Sequence, residues 1–540
     1  MTPPDPASDA SLDGAFPRPD LAAWRDEAAR ALKGRPLASL TWRVEPGIEL
    51  EPVQAERPDA VAAPFRTGPL RTCATVTDED ELAGALALGH DLVRVVYDGD
   101  DDDAPADLPQ ERVLYDPQSA SGAALALSAF QACAGVVAGW DGLDGATPSQ
   151  CVGFLASLAV DVLERAPEGA AERLVVEVFV GTGILTEIAK LRALRRLWAE
   201  VAAERELPGT LRLLARCPGW PATRVDPESN LLRAALAGCA AIVGGADIVE
   251  LVPYRVDDAA REASRLALNQ VRLMRDESHL DAVADPCAGS GTIETLTDAF
   301  VRAGRAEFER LRGLGGMAAA CESGDDARLA RIVEPYDAAY AARRGDVATR
   351  RRTVVGVNRF ADPSRDAAAL ADSVDEELFA VWAEPGASFD DEPHDGVDEF
   401  EYLRARALWH AAAGRAAPRV LLLPLGAPAR RRARADFAAD LFRAGGFAVE
   451  DPGAFDSVDA ACAHARQSGA PVVVVCGDDA DYAALVPQVV AALPGTAVIV
   501  AGRPPDGSDA WGAAAFAFEG ADALTVLAGA LDRAGVGRRP

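Results

Sequence analysis

The turn in this chain that most resembles a phosphate loop is Gly181-Thr182-Gly183, set between an apolar run and a long amphipathic one. A G-x-G-x-x-G loop needs a third glycine, and Thr186 stands in its place, so these glycines read as turn formers. Asp98 to Asp103 (DGDDDD) spaces carboxylates as a calcium loop would. An EF-hand loop requires glycine at its sixth position and glutamate at its twelfth, where this chain has Asp103 and Pro109; a solvated acidic loop is expected instead. Arg430, Arg431, Arg432 and Arg434 could neutralise a phosphate, but a charge run at a helix start reads first as a solvated or subunit-facing surface. Nine cysteines lie scattered without C-x-x-C pairs or metal-ligand spacing, which suits reduced thiols packed as small apolar residues.

The elements that would position such residues follow from periodicity. Arg173 to Val180 (RLVVEVFV) is nearly continuous in apolar character, as a strand covered on both faces should be. After the turn, Ile184, Ile188, Leu191, Leu194, Leu197, Trp198 and Val201 recur at three- and four-residue steps and predict one apolar helix stripe, with Lys190, Arg192, Arg195 and Arg196 on other faces or at its edges. Similar βα units precede and follow. Expected are a helix over 79–90, a strand over 92–97, helices over 120–139 and 150–165, strands over 211–215 and 241–243, helices over 227–238 and 257–275, and a last βα pair starting at 353–357. This order favours a (β/α) barrel of TIM type over 64–360. Residues 361–416 are charged and contain proline, with 372–379 helical, and read as a linker. Four further βα repeats over 417–540 predict a doubly wound, flavodoxin-like domain.

The run around the turn also resembles a known family. Phe179, Gly181, Gly183, Ile184, Glu187, Ile188, Ala189, Lys190, Arg192, Ala193, Arg195 and Trp198 are similar to the barrel domain of the methylmalonyl-CoA mutases. The agreement continues in order through Trp220, Asp226-Pro227, Asn230, Arg233, Gly244-Gly245, His279-Leu280, Asp285-Pro286, Gly289-Ser290, Glu294, Leu296-Thr297, Gly315-Gly316-Met317 and Gly356-Val357-Asn358. The resemblance implies an N-terminal arm over 1–63 that packs on a partner subunit, then an acyl-CoA mutase barrel, then a cobalamin-binding-type domain. It also exposes an absence. The family ligates cobalt through the histidine of D-x-H-x-x-G after the first strand of that last domain, where this chain reads Leu425-Gly-Ala-Pro-Ala-Arg-Arg-Arg-Ala-Arg. Its five histidines lie at 90, 279, 394, 410 and 464. Cys476-Gly-Asp478 and Ala501-Gly502 take the places of the family's S-x-L and G-G. The barrel also lacks the family's CoA-ester segments, and Asp161 to Leu174 runs directly into the organising strand, so the barrel is expected to be degenerate. The resemblance therefore implies a small, noncatalytic subunit with no catalytic, cofactor or metal residues of its own, partnered with a large subunit that carries adenosylcobalamin. Three alternatives remain: a free-standing acyl-CoA mutase with unusual ligation, a methyltransferase in which Asp285 to Thr292 (DPCAGSGT), similar to a D-P-x-x-G-S-G-T loop, cradles S-adenosylmethionine, or a paralogue acting as a chaperone or regulatory scaffold.

Composition limits the partners. Lys plus Arg is 54 against 84 for Asp plus Glu, a net charge of −30, which opposes binding to nucleic acid or anionic membrane. With 49% hydrophobic residues the chain can build sizeable cores. Residues 1–15 are Pro/Asp/Ser-rich, lack the basic and apolar regions of a secretion signal, and are expected to be disordered. The longest apolar stretch, Leu231 to Gly245, is interrupted by Arg233, so no membrane span is expected and a cytoplasmic location is.

Overall fold

The computed structural model describes residues 20–54, 65–66, 68–77, 79–96, 110–117, 133–140, 143, 145–167, 169–255, 260–362, 382 and 395–538. The readings of residues 1–15, 98–103 and 372–379 lie outside these.

Helix Leu21–Ala31, capped by the Asp20 carboxylate, leads into an antiparallel hairpin of β1 (Trp42–Glu45) and β2 (Ile48–Leu50). Seven parallel strands then close a barrel in chain order: β3 (Arg71–Val76), β4 (Leu92–Val96), β5 (Val113–Asp116), β6 (Gly135–Ala138), β7 (Leu174–Phe179), β8 (Arg212–Cys217) and β9 (Ile248–Leu251), with β9 pairing back onto β3. A TIM barrel has eight strands; seven lie among the described residues.

The organising unit folds as its sequence predicts. β7 passes through the Gly-Thr-Gly turn into helix Ile184–Glu204, whose Ile188, Leu191, Leu194, Leu197, Trp198 and Val201 are buried. Each such side chain contributes roughly 1.5–3 kcal/mol by leaving water. Lys190, Arg192 and Arg195 are also buried, contrary to their expected place on other faces or at the stripe edges, because each is held by carbonyls or carboxylates. Arg195, for one, donates to the Leu211 and Gly245 carbonyls and to Asp247 at 2.6–2.9 Å.

Three other expectations are corrected. Ala241 to Val243 is not a strand. It ends helix Pro227–Val243, which the Gly244-Gly245 turn (Gly245 at φ +90°) stops before β9 begins. Thr353 to Val357 forms a turn, with Gly356 at φ +81° and the Asn358 side chain accepting from Val354 N–H and donating to the Val347 and Arg352 carbonyls. The helix expected over 120–139 cannot extend to its end, because Gly135–Ala138 is β6, paired with both neighbours.

Outside the barrel, helix Gly291–Gly313 packs along Pro148–Leu163 and Ile184–Glu204. Gly153 and Gly304 allow the first of these contacts. A Cβ on Gly153 would come 2.5 Å from the Gly304 carbonyl, and one on Gly304 would meet Val152 at 2.6 Å. That cover buries nearly every face of helix Pro148–Leu163, which starts with a Thr147/Gln150 capping box and Pro148 in its first turn.

The C-terminal domain is a parallel sheet ordered β11 (Ala448–Glu450), β10 (Arg419–Pro424), β12 (Val472–Cys476), β13 (Ala497–Val500), β14 (Ala515–Phe516), with helices on both faces. This is the flavodoxin-like order 2-1-3-4-5. Part of the stretch read as linker forms helix Val397–Ala412, whose Phe400, Tyr402, Leu403 and Trp409 join one core with Trp220, Val354 and Val357 of the barrel side. Its charges had masked that apolar spacing.

Candidate functional site

In a parallel barrel the strand C-termini are where chemistry is done. Alternation places one residue of each strand in a single apolar cluster inside the barrel: Cys73, Leu92, Leu114, Val137, Val175, Leu214 and Ile248. Two residues further along each strand, the inward positions are Thr75, Arg94, Asp116, Gly139, Glu177, Arg216 and Glu250. Arg94, Asp116, Glu177 and Glu250 are each at most 4% exposed. Arg94 donates from Nε to Asp116 at 2.6 Å and from both Nη atoms to Glu177 at 2.5 and 3.2 Å. Glu177 has room because position 139 is glycine; a Cβ there would lie 2.6 Å from Glu177 Oε2. Burial pushes the Glu177 carboxyl up to about 7, against the pull of Arg94 and Arg216. Glu250 accepts from Thr75 N–H at 2.9 Å, and Arg216 lies over the Phe179 ring. None of the charged residues in this layer was singled out from sequence. The available clue was a lone charge in each of three otherwise apolar strands, LVRVV, LVVEVF and IVEL.

Above the barrel mouth, Trp220 follows β8 and carries the guanidinium groups of Arg343 and Arg352, each 4.5 Å from its ring centroid, a favourable cation–π distance. Its indole N–H donates to Asp395 at 2.8 Å. Burial, with Asp398 nearby, pushes the Asp395 carboxyl up to about 7. Next to it, fully buried Glu401 accepts from Thr223 Oγ1 (2.5 Å), the N–H groups of Arg224 and Val225 (2.5 and 3.3 Å) and Arg224 Nη1 (3.1 Å).

In doubly wound sheets ligands bind beyond the strand C-termini. Here Tyr482 fills that position between β12 and β13. It is 1% exposed; its hydroxyl accepts from Gly477 N–H (2.9 Å) and contacts the Ala501 carbonyl at 2.7 Å, and a Cβ on Gly502 would meet its ring at 2.6 Å. The segment after β10, residues 425–434, which runs into helix Pro428–Ala444, offers guanidinium groups and no imidazole, and Arg434 is paired with Asp479 at 2.9 Å. His464, in helix Val458–Ser468, is half-buried with its ring against Phe455. These residues do not fit a cobalamin held through histidine.

The Asp285 to Thr292 loop follows no strand, and its carboxylate faces inward rather than toward a ligand. Arg192 donates to both Asp285 oxygens at 2.9 Å, to Glu294 at 2.9 Å and to Thr297 Oγ1 at 2.9 Å, while Gly289 N–H donates to Glu294. The loop is a tethered turn feeding helix Gly291–Gly313, and the methyltransferase alternative loses its cofactor cradle.

Residues 156–381 match the family model described as methylmalonyl-CoA mutase. The chain is 37% identical over 358 residues to a protein of Streptomyces virginiae named methylmalonyl-CoA mutase small subunit, covering 65% of this chain and 54% of that protein. A protein of the same name from Porphyromonas gingivalis is 30% identical over 377 residues, covering 67% of this chain and 59% of that one. The methylmalonyl-CoA mutase of Escherichia coli is 29% identical over 233 residues, 40% of this chain and 32% of that one. The chain thus spans about half the length of the curated relatives it matches. With its parallel barrel and flavodoxin-like sheet, the chain is similar to the methylmalonyl-CoA mutase family, whose model it matches over residues 156–381.

Proposed function

We propose that this chain is a noncatalytic small subunit of a heterodimeric methylmalonyl-CoA mutase, in which a large subunit holds adenosylcobalamin and the acyl-CoA. The complex interconverts succinyl-CoA and methylmalonyl-CoA, a radical rearrangement whose homolytic step is supplied by the cofactor. This chain contributes an interface and stabilises its partner by mass action. The observation that carries the reading is Tyr482 closing the crevice at the β12 and β13 ends, beside a 425–434 segment without imidazole. The Arg94–Glu177 pairing inside the barrel supports it, since an acyl chain entering there would have to break a buried bidentate contact. Exposed Leu40 and Trp42 on the N-terminal arm suit a docking segment. Nine free thiols suit a cytoplasmic protein.

The test has two arms. The pure chain incubated with adenosylcobalamin should retain no corrinoid absorbance after gel filtration and should not isomerise an acyl-CoA. Coexpressed with a family member carrying D-x-H-x-x-G, it should copurify and raise that subunit's activity or half-life. Corrinoid retained by the chain alone, or turnover by it, would refute the proposal.

A further inference from the structure

Among the described residues, the charged positions of this barrel layer do not balance: three carboxylates, Asp116, Glu177 and Glu250, stand with two guanidinium groups, Arg94 and Arg216. Arg94 is committed to Asp116 and Glu177. Glu250 is 3% exposed, and its Oε1 is used; among the described residues Oε2 has no hydrogen-bond partner, and neither does the buried Thr75 Oγ1 on the adjoining strand. An uncompensated charge and an unmatched acceptor at such depth are both costly. Among the described residues no group of three His, Cys, Asp or Glu side chains is arranged to hold a metal ion. His90 lies within electrostatic reach of Glu250, Arg272 and Asp91, and burial lowers its pKa, which disfavours a charged imidazole there.

From the unmatched acceptors we infer that the barrel interior binds a small ammonium-type cation, with Glu250 Oε2 and Thr75 Oγ1 accepting its N–H donors and the excess negative charge neutralised by it. A hydrogen-bonding cation fits two acceptors on adjacent strands better than a spherical ion that needs a full oxygen shell.

Proton and cation then compete. The groups facing Glu177 are Arg94 on β4, Asp116 on β5, Arg216 on β8 and Glu250 on β9, while β3 and β6 contribute Cys73, Thr75 and Gly139. With its carboxyl at about 7, Glu177 takes up a proton below that pH and becomes neutral, which removes the excess negative charge. Above that pH Glu177 is ionised, so cation affinity should rise about tenfold per pH unit toward neutrality and level off beyond.

The test is thermal melting of the full chain in ammonium chloride, potassium chloride and tetramethylammonium chloride at equal ionic strength. At pH 8 ammonium should raise Tm by several degrees over both other salts. At pH 6 the difference should largely vanish. Glu250→Gln, which removes the excess charge and keeps the side-chain shape, should abolish the ammonium effect at pH 8. Thr75→Val should weaken it if the glutamine variant does not fold. Equal melting in all three salts at pH 8 would overturn the proposal and leave a buried water as the partner. An equal shift by potassium would overturn the hydrogen-bonding assignment, and an ammonium response surviving in Glu250→Gln would overturn the site.

Discussion

Arg192, 1% exposed and bonded to Asp285, Glu294 and Thr297, shows what many of the residues shared with the family do in this chain. Asn230 bridges the Thr223 and Tyr254 carbonyls and accepts from Arg233; Asn358 closes the 352–358 turn; Lys190 holds the Phe179 carbonyl at 2.7 Å. These are scaffold contacts, and none needs a substrate. Removing one partner of a buried pair leaves the other charge unmatched, which costs about 3–5 kcal/mol. Arg192→Ala should therefore lose stability on that scale in denaturant titration. Asp285→Asn, which leaves Arg192 one carboxylate and a neutral acceptor, should lose clearly less. Equal losses would show that the guanidinium stem's packing, not the pairing, is what matters.

At the level of elements, legibility in the sequence tracked context. β7, its turn and helix Ile184–Glu204 were readable because an apolar run, two glycines and a 3.6-residue stripe agree with one another. Ala241 to Val243 misled because a β-branched tail on an Ala-rich helix has strand-like composition, and only the following glycines mark the true stop. The charged interior was illegible for a different reason. Which face of a strand is inside a barrel depends on closure, so Arg94, Glu177 and Glu250 could equally have pointed outward. Helix packing gives a prediction at this scale. Gly153 and Gly304 let two helix backbones meet, so Gly304→Val should overpack the contact with Val152 and the Ser149 carbonyl. The expected loss is about 1–3 kcal/mol, read as a lower midpoint with unchanged denaturant m-value. Gly313→Ala, near the C-terminal end of the same helix with open space at its Cβ, should be close to neutral.

Over the whole molecule, barrel and C-terminal sheet are joined by more than a tether. One apolar core runs from Trp220 and Val357 through Phe400 and Leu403 to Val420 and Leu422. Polar contacts flank it: Arg350 with Asp440, Arg359 with Glu519 at 2.6 Å, Arg344 with Glu399 at 2.6 Å, and Glu401 under the 223–225 loop. Such an interface makes the halves unfold together. Calorimetry of the full chain should show one transition. Glu401→Ala, which strands the donors of Thr223, Arg224 and Val225, should lower Tm and separate a barrel transition from that of the sheet. A single, merely shifted transition would show that the shared core alone carries the cooperativity.

Helix Val397–Ala412 belongs to both halves at once, and this bears on how the gene can be cut. A fragment ending before residue 395 would keep all seven strands yet lose Asp395 and Glu401, leaving the Trp220 indole and the loop after β8 without their acceptors. A useful barrel fragment must retain that helix and will then expose Phe400 and Leu403 to solvent, so it should aggregate unless those two positions are made polar.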